Sequence, residues 1–193
     1  MLAAAVEEFA VHGVRGTRIQ DIVKRAGVNE RMIYHHFGSK DGLYAAALED
    51  QFTALHDAWS PVLEKAAALE PYDGMRMALG GFVDIITSRP QLVGMWLHEA
   101  LNSWRTLPLP TADMLSDTLR DLYRRGQRAG VFRPDCPYEI ARGTALGALF
   151  GLVVLAPRGA DVVRDNPSAF DGTVARDQVL DLLLDGMTGE PRS

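Results

Sequence analysis

Apolar residues recur along this chain at helical spacing, and no alternating strand pattern of useful length appears. Leu2, Ala5, Val6 and Phe9 form a first stripe that ends at His12-Gly13. Ile19, Ile22, Val23 and Ala26 fall at i, i+3, i+4 and i+7, the buried stripe of a short second helix. Thr17 is placed to cap it, and Gln20, three residues on, to close a capping box. Gly27 sits where a helix C-cap favours positive φ. Asn29 then caps a helix over 29–37, with Val28 and Ile33 at the two positions of a hydrophobic staple. That helix ends at Gly38, and Ser39 caps a further one with Lys40 in its first turn.

Beyond Lys40 a long helix carries Leu43, Ala47, Phe52, Leu55 and Trp59 and is expected to kink or stop at Pro61. Pro71 opens the next, with Leu79, Phe82, Val83 and Ile86 at helical spacing. Pro90 starts another that reaches Trp104. Leu107-Pro108-Leu109-Pro110 reads as a linker, and Thr111 caps a helix with Met114, Leu115, Leu119 and Leu122 that stops near Gly130. From about Pro137 to Ala156 runs a helix holding the most apolar stretch of the chain, 144–156, shorter than the ~20 residues a bilayer span needs. Residues 157–172 read as a loop, and a last helix covers about 174–187. The fold expected is all-α with about nine helices: a three-helix helix-turn-helix domain over 1–45 and a helical body over 46–193.

The chemistry lies on the face of the 29–37 helix. At 100° per residue Ile33 and Phe37 lie together and face a core, while Arg31 and His35 point away, with Met32 and Tyr34 at the edges. Such a helix, after a turn containing glycine, suits the recognition element of a helix-turn-helix. Arg can read guanine edges or phosphate, and Tyr and His can reach the sugar-phosphate backbone. Lys40 adds charge at the positive end of its own helix. Candidate DNA contacts are therefore Thr17, Arg18, Asn29, Arg31, Met32, Tyr34, His35 and Lys40. These features alone also fit a small solvated helical hairpin.

Gly16-Thr17, Ile22, Ala26-Gly27-Val28, Tyr34, Phe37, Lys40 and Leu43 together form a pattern that resembles, in register, the DNA-binding signature of the TetR family of bacterial transcriptional regulators. The resemblance is strong over about the first quarter of the chain. It implies a dimeric regulator, most simply a repressor, that binds a pseudo-palindromic double-stranded DNA operator and is released by a small-molecule effector, with no cofactor. An alternative is a TetR-like protein without DNA binding that acts through protein partners; Glu30, an acid within the recognition helix, favours it. For the effector, the apolar candidates in the body are Met75, Met77, Phe82, Met95, Trp96, Trp104 and Met114, with His98 and Glu99 as polar ones. Family members usually carry a longer basic lead-in, so contacts from an N-terminal arm are not expected here.

Gly143, Gly147 and Gly151 recur every four residues in the apolar helix, each costing about 1 kcal/mol relative to alanine. Close approach of another helix would offset that cost. The last helix is apolar nearly all round, with Val179, Leu180, Leu182, Leu183 and Leu184. The two together point to a homodimer through a four-helix interface, the pair that the TetR resemblance also implies; a monomeric core is the other reading of the same residues.

Charge sharpens the picture. The 193 residues carry a formal −5, which by itself argues against nucleic acid. Yet 14–40 holds Arg15, Arg18, Lys24, Arg25, Arg31 and Lys40 against Asp21 and Glu30, a net +4. With −2 from Glu7 and Glu8, everything after Lys40 carries −7: a basic module on an acidic body. One cysteine, Cys136, allows no internal disulfide and no cysteine cluster, as expected in a reducing cytoplasm. The start, Met-Leu-Ala-Ala-Ala-Val-Glu-Glu, lacks the basic region of a secretory signal, and neither it nor the apolar helix is expected to engage a membrane. No catalytic constellation, phosphate loop or metal set stands out, and the adjacent His35 and His36 lie on different faces of a helix.

Overall fold

The computed structural model describes residues 1–106, 117–162 and 172–188, apart from the side chains of 156–162 and 172–173. Among the described residues there are nine helices and no strand: α1 Leu2–Gly16, α2 Ile19–Ala26, α3 Glu30–Phe37, α4 Lys40–Ala67, α5 Pro71–Thr87, α6 Pro90–Leu101, α7 Asp117–Arg128, α8 Tyr138–Val162 and α9 Gly172–Thr188. By their contacts they divide into two compact units, residues 1–57 with 88–111 and residues 58–87 with 112–193. Helix α6 packs on α1 within the first unit.

In the first unit Phe9, Ile22, Ile33, Leu43, Tyr44, Leu48, Leu92 and Met95 are fully buried. Phe9 meets Tyr44 edge to face, ring centroids 4.9 Å apart. Helix α6 comes close to α1 at Gly94, where an added Cβ would stand 2.5 Å from the Ala10 carbonyl oxygen. In the second unit α5 packs against α7, α8 and α9. Phe82 is held between Trp59, at 4.9 Å, and Phe150, at 6.0 Å, and the Trp59 indole donates to the Ala78 carbonyl at 2.9 Å. Tyr123 and Phe132 stack at 5.3 Å.

Several expected boundaries move. Gly13, at φ 63°, breaks α1 and leaves a final turn to Gly16. Thr17 does not cap α2; Arg18 does, without a side-chain bond, because the Thr17 hydroxyl is turned inward. Helix α4 passes straight through Pro61. The residue four before it, Asp57, is exposed, so water can take the carbonyl that proline leaves without a donor. Helix α6 ends at Leu101, three residues short of Trp104; Ser103 and Trp104 adopt φ of 58° and 54°, and the Trp104 N–H closes onto the Glu99 carbonyl at 2.9 Å. Helix α8 continues through Pro157 to Val162 instead of stopping at Ala156. Its first 18 residues, Tyr138–Leu155, have a mean hydropathy of 1.4 and are long and apolar enough to cross a membrane by those measures alone, contrary to the expectation from 144–156. The linker over 107–110, the cap at Thr111 and the positions of Met114 and Leu115 lie outside the described residues.

A methyl group at Gly94 has backbone, not a yielding side chain, in front of it. Gly94→Ala is expected to destabilise the chain by about 1–3 kcal/mol through overpacking. At this size that lowers Tm by roughly 2–4 °C per kcal/mol, which a thermal melt followed by circular dichroism will read.

Candidate nucleic-acid interface

Helix α3 is positioned by its ends and by one buried side chain. Gly27 adopts φ 64°, ψ 29°, the left-handed turn that brings α2 to a stop, and its N–H bonds the Val23 carbonyl. Two residues on, the Asn29 side chain accepts from the Arg31 N–H at 2.9 Å, an N-cap that satisfies one orphan donor of α3. At the other end Gly38, φ 74°, closes the helix through its N–H to the Tyr34 carbonyl. Ser39 then caps α4, accepting from the Gly42 N–H at 3.0 Å.

Ile33 is fully buried, which fixes the rotation of α3 about its axis. Arg31, Met32, Tyr34, His35 and His36 are consequently exposed, Met32 at 44% and Tyr34 at 47%. Two large apolar-bodied side chains left in solvent beside an arginine are costly for an isolated domain and suited to a base-edge and sugar surface. His35 and His36 touch edge to face with centroids 5.2 Å apart, and no group of three metal-ligating side chains occurs among the described residues.

The remaining candidates separate by side-chain direction. Arg18 is exposed at the start of α2. Lys40 is half-buried, and its ammonium donates to the Thr17 carbonyl at 3.3 Å, which ties the start of α4 to the α1–α2 corner. Thr17 itself is buried: its hydroxyl donates to the Gly13 carbonyl at 2.8 Å, with the Glu8 carbonyl at 3.2 Å. It is not placed as a side-chain contact to DNA, because the hydroxyl is committed to the protein's own backbone. The basic patch is also smaller than the sequence count. Arg25 pairs with both Glu7 and Glu8 at 2.8 Å, and these carboxylates hold its pKa above the ordinary value, Glu8 foremost. Arg15 was counted only as charge in the sequence, yet it shares a cleft with Lys40 and Arg105, side chains far apart in sequence.

The effector candidates divide between the units. Met75 and Phe82 line an apolar cavity in the second unit, together with Trp59, Leu79, Tyr123, Tyr138, Arg142 and Met187. Met77 is exposed. Met95, Trp96, His98, Glu99 and Trp104 belong instead to the first unit, because α6 packs on α1. There Trp96 lies between Phe52 and Trp104, His98 abuts Gly13, and buried Glu99 accepts from the Thr106 N–H at 3.1 Å. Burial, with Glu99 beside it, pushes the Tyr44 phenol above its ordinary pKa. None of these five lines the apolar cavity of the second unit; His98 lines a separate cleft with Gly13 and Tyr44. Met114 lies outside the described residues.

Described residues that are all helix and turn, with a capped, outward-facing helix-turn-helix, give the architecture of a DNA-binding regulator, and comparison with known proteins agrees. Residues 1–47 match the model for bacterial regulatory proteins of the tetR family, and 71–149 match a tetracyclin repressor-like C-terminal domain. The HTH-type transcriptional repressor SCO4008 of Streptomyces coelicolor is 44% identical over 156 residues, 79% of this chain and 72% of that protein. The HTH-type transcriptional repressor NicS of Pseudomonas putida is 30% identical over 70% of this chain, which spans 65% of NicS. A TetR family transcription regulator from Marinobacter aquaeolei superposes with a TM-score of 0.76 at 21% identity, covering 96% of this chain and 92% of that one, a likeness of fold. The chain belongs to the TetR family. That family consists of helix-turn-helix transcriptional regulators, not enzymes.

Because Arg31 is exposed and the amide beneath it is already capped, Arg31→Ala should leave the fold intact and weaken specific binding by about 1–3 kcal/mol, relaxing base preference. Arg18→Ala should weaken specific and random DNA alike and reduce the salt slope by about 1. Fluorescence-anisotropy titrations of the DNA flanking its own gene and of random DNA, at two salt concentrations, separate the two; equal losses for both variants on both DNAs would contradict these roles.

Proposed function

We propose that this chain is a homodimeric repressor that sets two copies of α3 into major grooves of a pseudo-palindromic operator, one helical turn or about 34–36 Å apart. Arg18, Arg31, Met32, Tyr34 and His35 read or grip the DNA, Asn29 shapes the α3 end that approaches it, and Lys40 braces the corner behind it. The DNA-reading part lies within 1–45, and effector binding and dimerisation lie within 46–193. The observation that carries this reading is the buried Ile33 set against the solvent-facing Arg31, Met32, Tyr34 and His35 on one short helix.

Pairing through α8 and α9 is supported by what these helices leave uncovered. Ile140, Val154 and Leu155 on α8, and Val174 and Leu182 on α9, are exposed, Leu182 at 74%. A Cβ added at Gly143, Gly147 or Gly151 would meet nothing within 4 Å, so a foreign helix has room to approach. The membrane-like hydropathy of α8 is accounted for by the same partner surface, since Glu139 and Arg142 stand in its first turns.

Effector binding in the second unit favours a state with weaker operator affinity, for which a coupling of about 1–3 kcal/mol is sufficient. Glu30, in the first turn of α3, supports the second reading, a regulator that acts through protein partners. A gel-shift with the DNA flanking the chain's own gene distinguishes the two.

Leu182→Glu and Gly147→Arg each place charge on the proposed pairing face. Sedimentation should show the wild-type dimer become a monomer, with operator affinity falling by a factor on the order of 10²–10⁴ as the linked second half-site is lost. A variant that sediments as a dimer would remove α8 and α9 from the interface.

A further inference from the structure

Two of the residues around the apolar cavity of the second unit carry polar groups left without a partner. Tyr138 and Arg142, one turn apart at the start of α8, both line it. Tyr138 is more than nine-tenths buried, and its hydroxyl has no hydrogen-bond partner among the described residues. The Nε of Arg142 is likewise buried without a partner, and so is the Nε of Arg120, which reaches the same ring from α7. The two guanidinium carbons lie 5.5 Å (Arg120) and 5.9 Å (Arg142) from the centroid of the Tyr138 ring. Arg120 has one ion pair, to the largely exposed Asp117 at 3.3 Å; Arg142 has none among the described residues. Burial raises the Tyr138 pKa, so the phenol stays protonated and available as a donor at neutral pH.

Buried donors without acceptors are rare in folded proteins because each one keeps its desolvation cost. Here two of them, the Tyr138 hydroxyl and the Arg142 Nε, belong to residues of the cavity wall, and one is on a cation. What such a cluster lacks is an anion with several acceptor oxygens, and a carboxylate matches a guanidinium in shape as well as charge. The rest of the wall, Trp59, Met75, Leu79, Phe82 and Met187, offers such an anion nothing but apolar contact. We infer that the effector is an amphipathic organic acid, its carboxylate held by Arg142 and the Tyr138 hydroxyl, its hydrocarbon part lying among Trp59, Met75 and Met187. This rests on the proposed function, in which the second unit takes the effector, and it names the effector's chemical class. The cavity as it stands holds about 20 Å³, space for one water. The hydrocarbon part therefore enters by displacing side chains, and the unbranched Met75 and Met187 are the ones best able to repack.

The test uses the full chain and three ten-carbon probes below their micellar concentrations: decanoate, 1-decanol and decyltrimethylammonium, with inorganic phosphate as an anion without a tail. Binding is followed by tryptophan fluorescence, for which Trp59 reports from the cavity wall, and by titration calorimetry. Decanoate should bind at least about tenfold more tightly than decanol, and the ammonium and phosphate more weakly still. Arg142→Met should abolish the preference for acid over alcohol, and Arg142→Lys should restore part of it. The ranking on the wild-type chain stands without any variant folding. Decanol binding as well as decanoate would overturn the anion assignment while leaving an effector site in this unit. No binding by any probe would also overturn it, and the operator titration on the same preparation would still report separately on DNA binding.

Discussion

The arrangement of the DNA-reading surface depends on the burial of one side chain. Ile33 sits in the middle of an eight-residue helix with no solvent exposure, a placement that stabilises by roughly 1.5–3 kcal/mol. A helix this short has little stability of its own. Its rotation is consequently set by that contact and by the two ends, the Asn29 cap and the turns at Gly27 and Gly38. Rotation by one residue, 100°, would turn Arg31 and His35 aside and bring Met32 or Tyr34 round in their place. Sequence reaches function here through a single angular constraint.

Behind α3 the charges do two different jobs. Glu8 is nearly buried and is answered by Arg25, with Glu7 on the same guanidinium. Such a pair fastens α1 to α2; its surface half is worth little in energy, but it fixes geometry. Thr17 and Lys40 tie the α1–α2 corner to the start of α4 through backbone carbonyls. The cations left for phosphate are those without such duties, Arg15, Arg18 and Lys24 among them, all exposed. A count of basic residues overstates the field that DNA meets, because part of the positive charge is consumed in holding the module together.

What could be read from the chain follows from how local each cause is. Caps, the glycine turn and the 3.6-residue stripe of α2 and α3 depend on neighbours within four positions, so they were legible. Thr17 fooled the capping pattern because Ser/Thr at a helix start looks the same whether its hydroxyl bonds forward to the next helix or back to the last one. Pro61 reads as a kink or a stop because the cost of a proline inside a helix is local, whereas whether the freed carbonyl faces water depends on how the helix packs. The placement of the five effector candidates on and just after α6 was not legible for a similar reason: apolar spacing shows that a helix is buried without showing against which neighbour. Gly94 opposite Ala10 decides that neighbour, and the two are more than eighty residues apart.

The same distinction applies to the cavity. Met75 and Phe82 are visible as apolar residues on a helix, but that Tyr138 and Arg142 of α8 stand against the same cavity is something no spacing rule gives. Their meaning lies in a deficit. An apolar cavity can stay empty and dry at modest cost, whereas donors sealed without acceptors keep their full desolvation penalty until something with lone pairs arrives. A wall built this way is poised: the closed state carries a cost that an acidic ligand relieves and a neutral one of the same shape does not. That difference in free energy between liganded and unliganded states is the quantity an effector needs in order to shift an equilibrium, since a ligand moves a population only by its differential affinity.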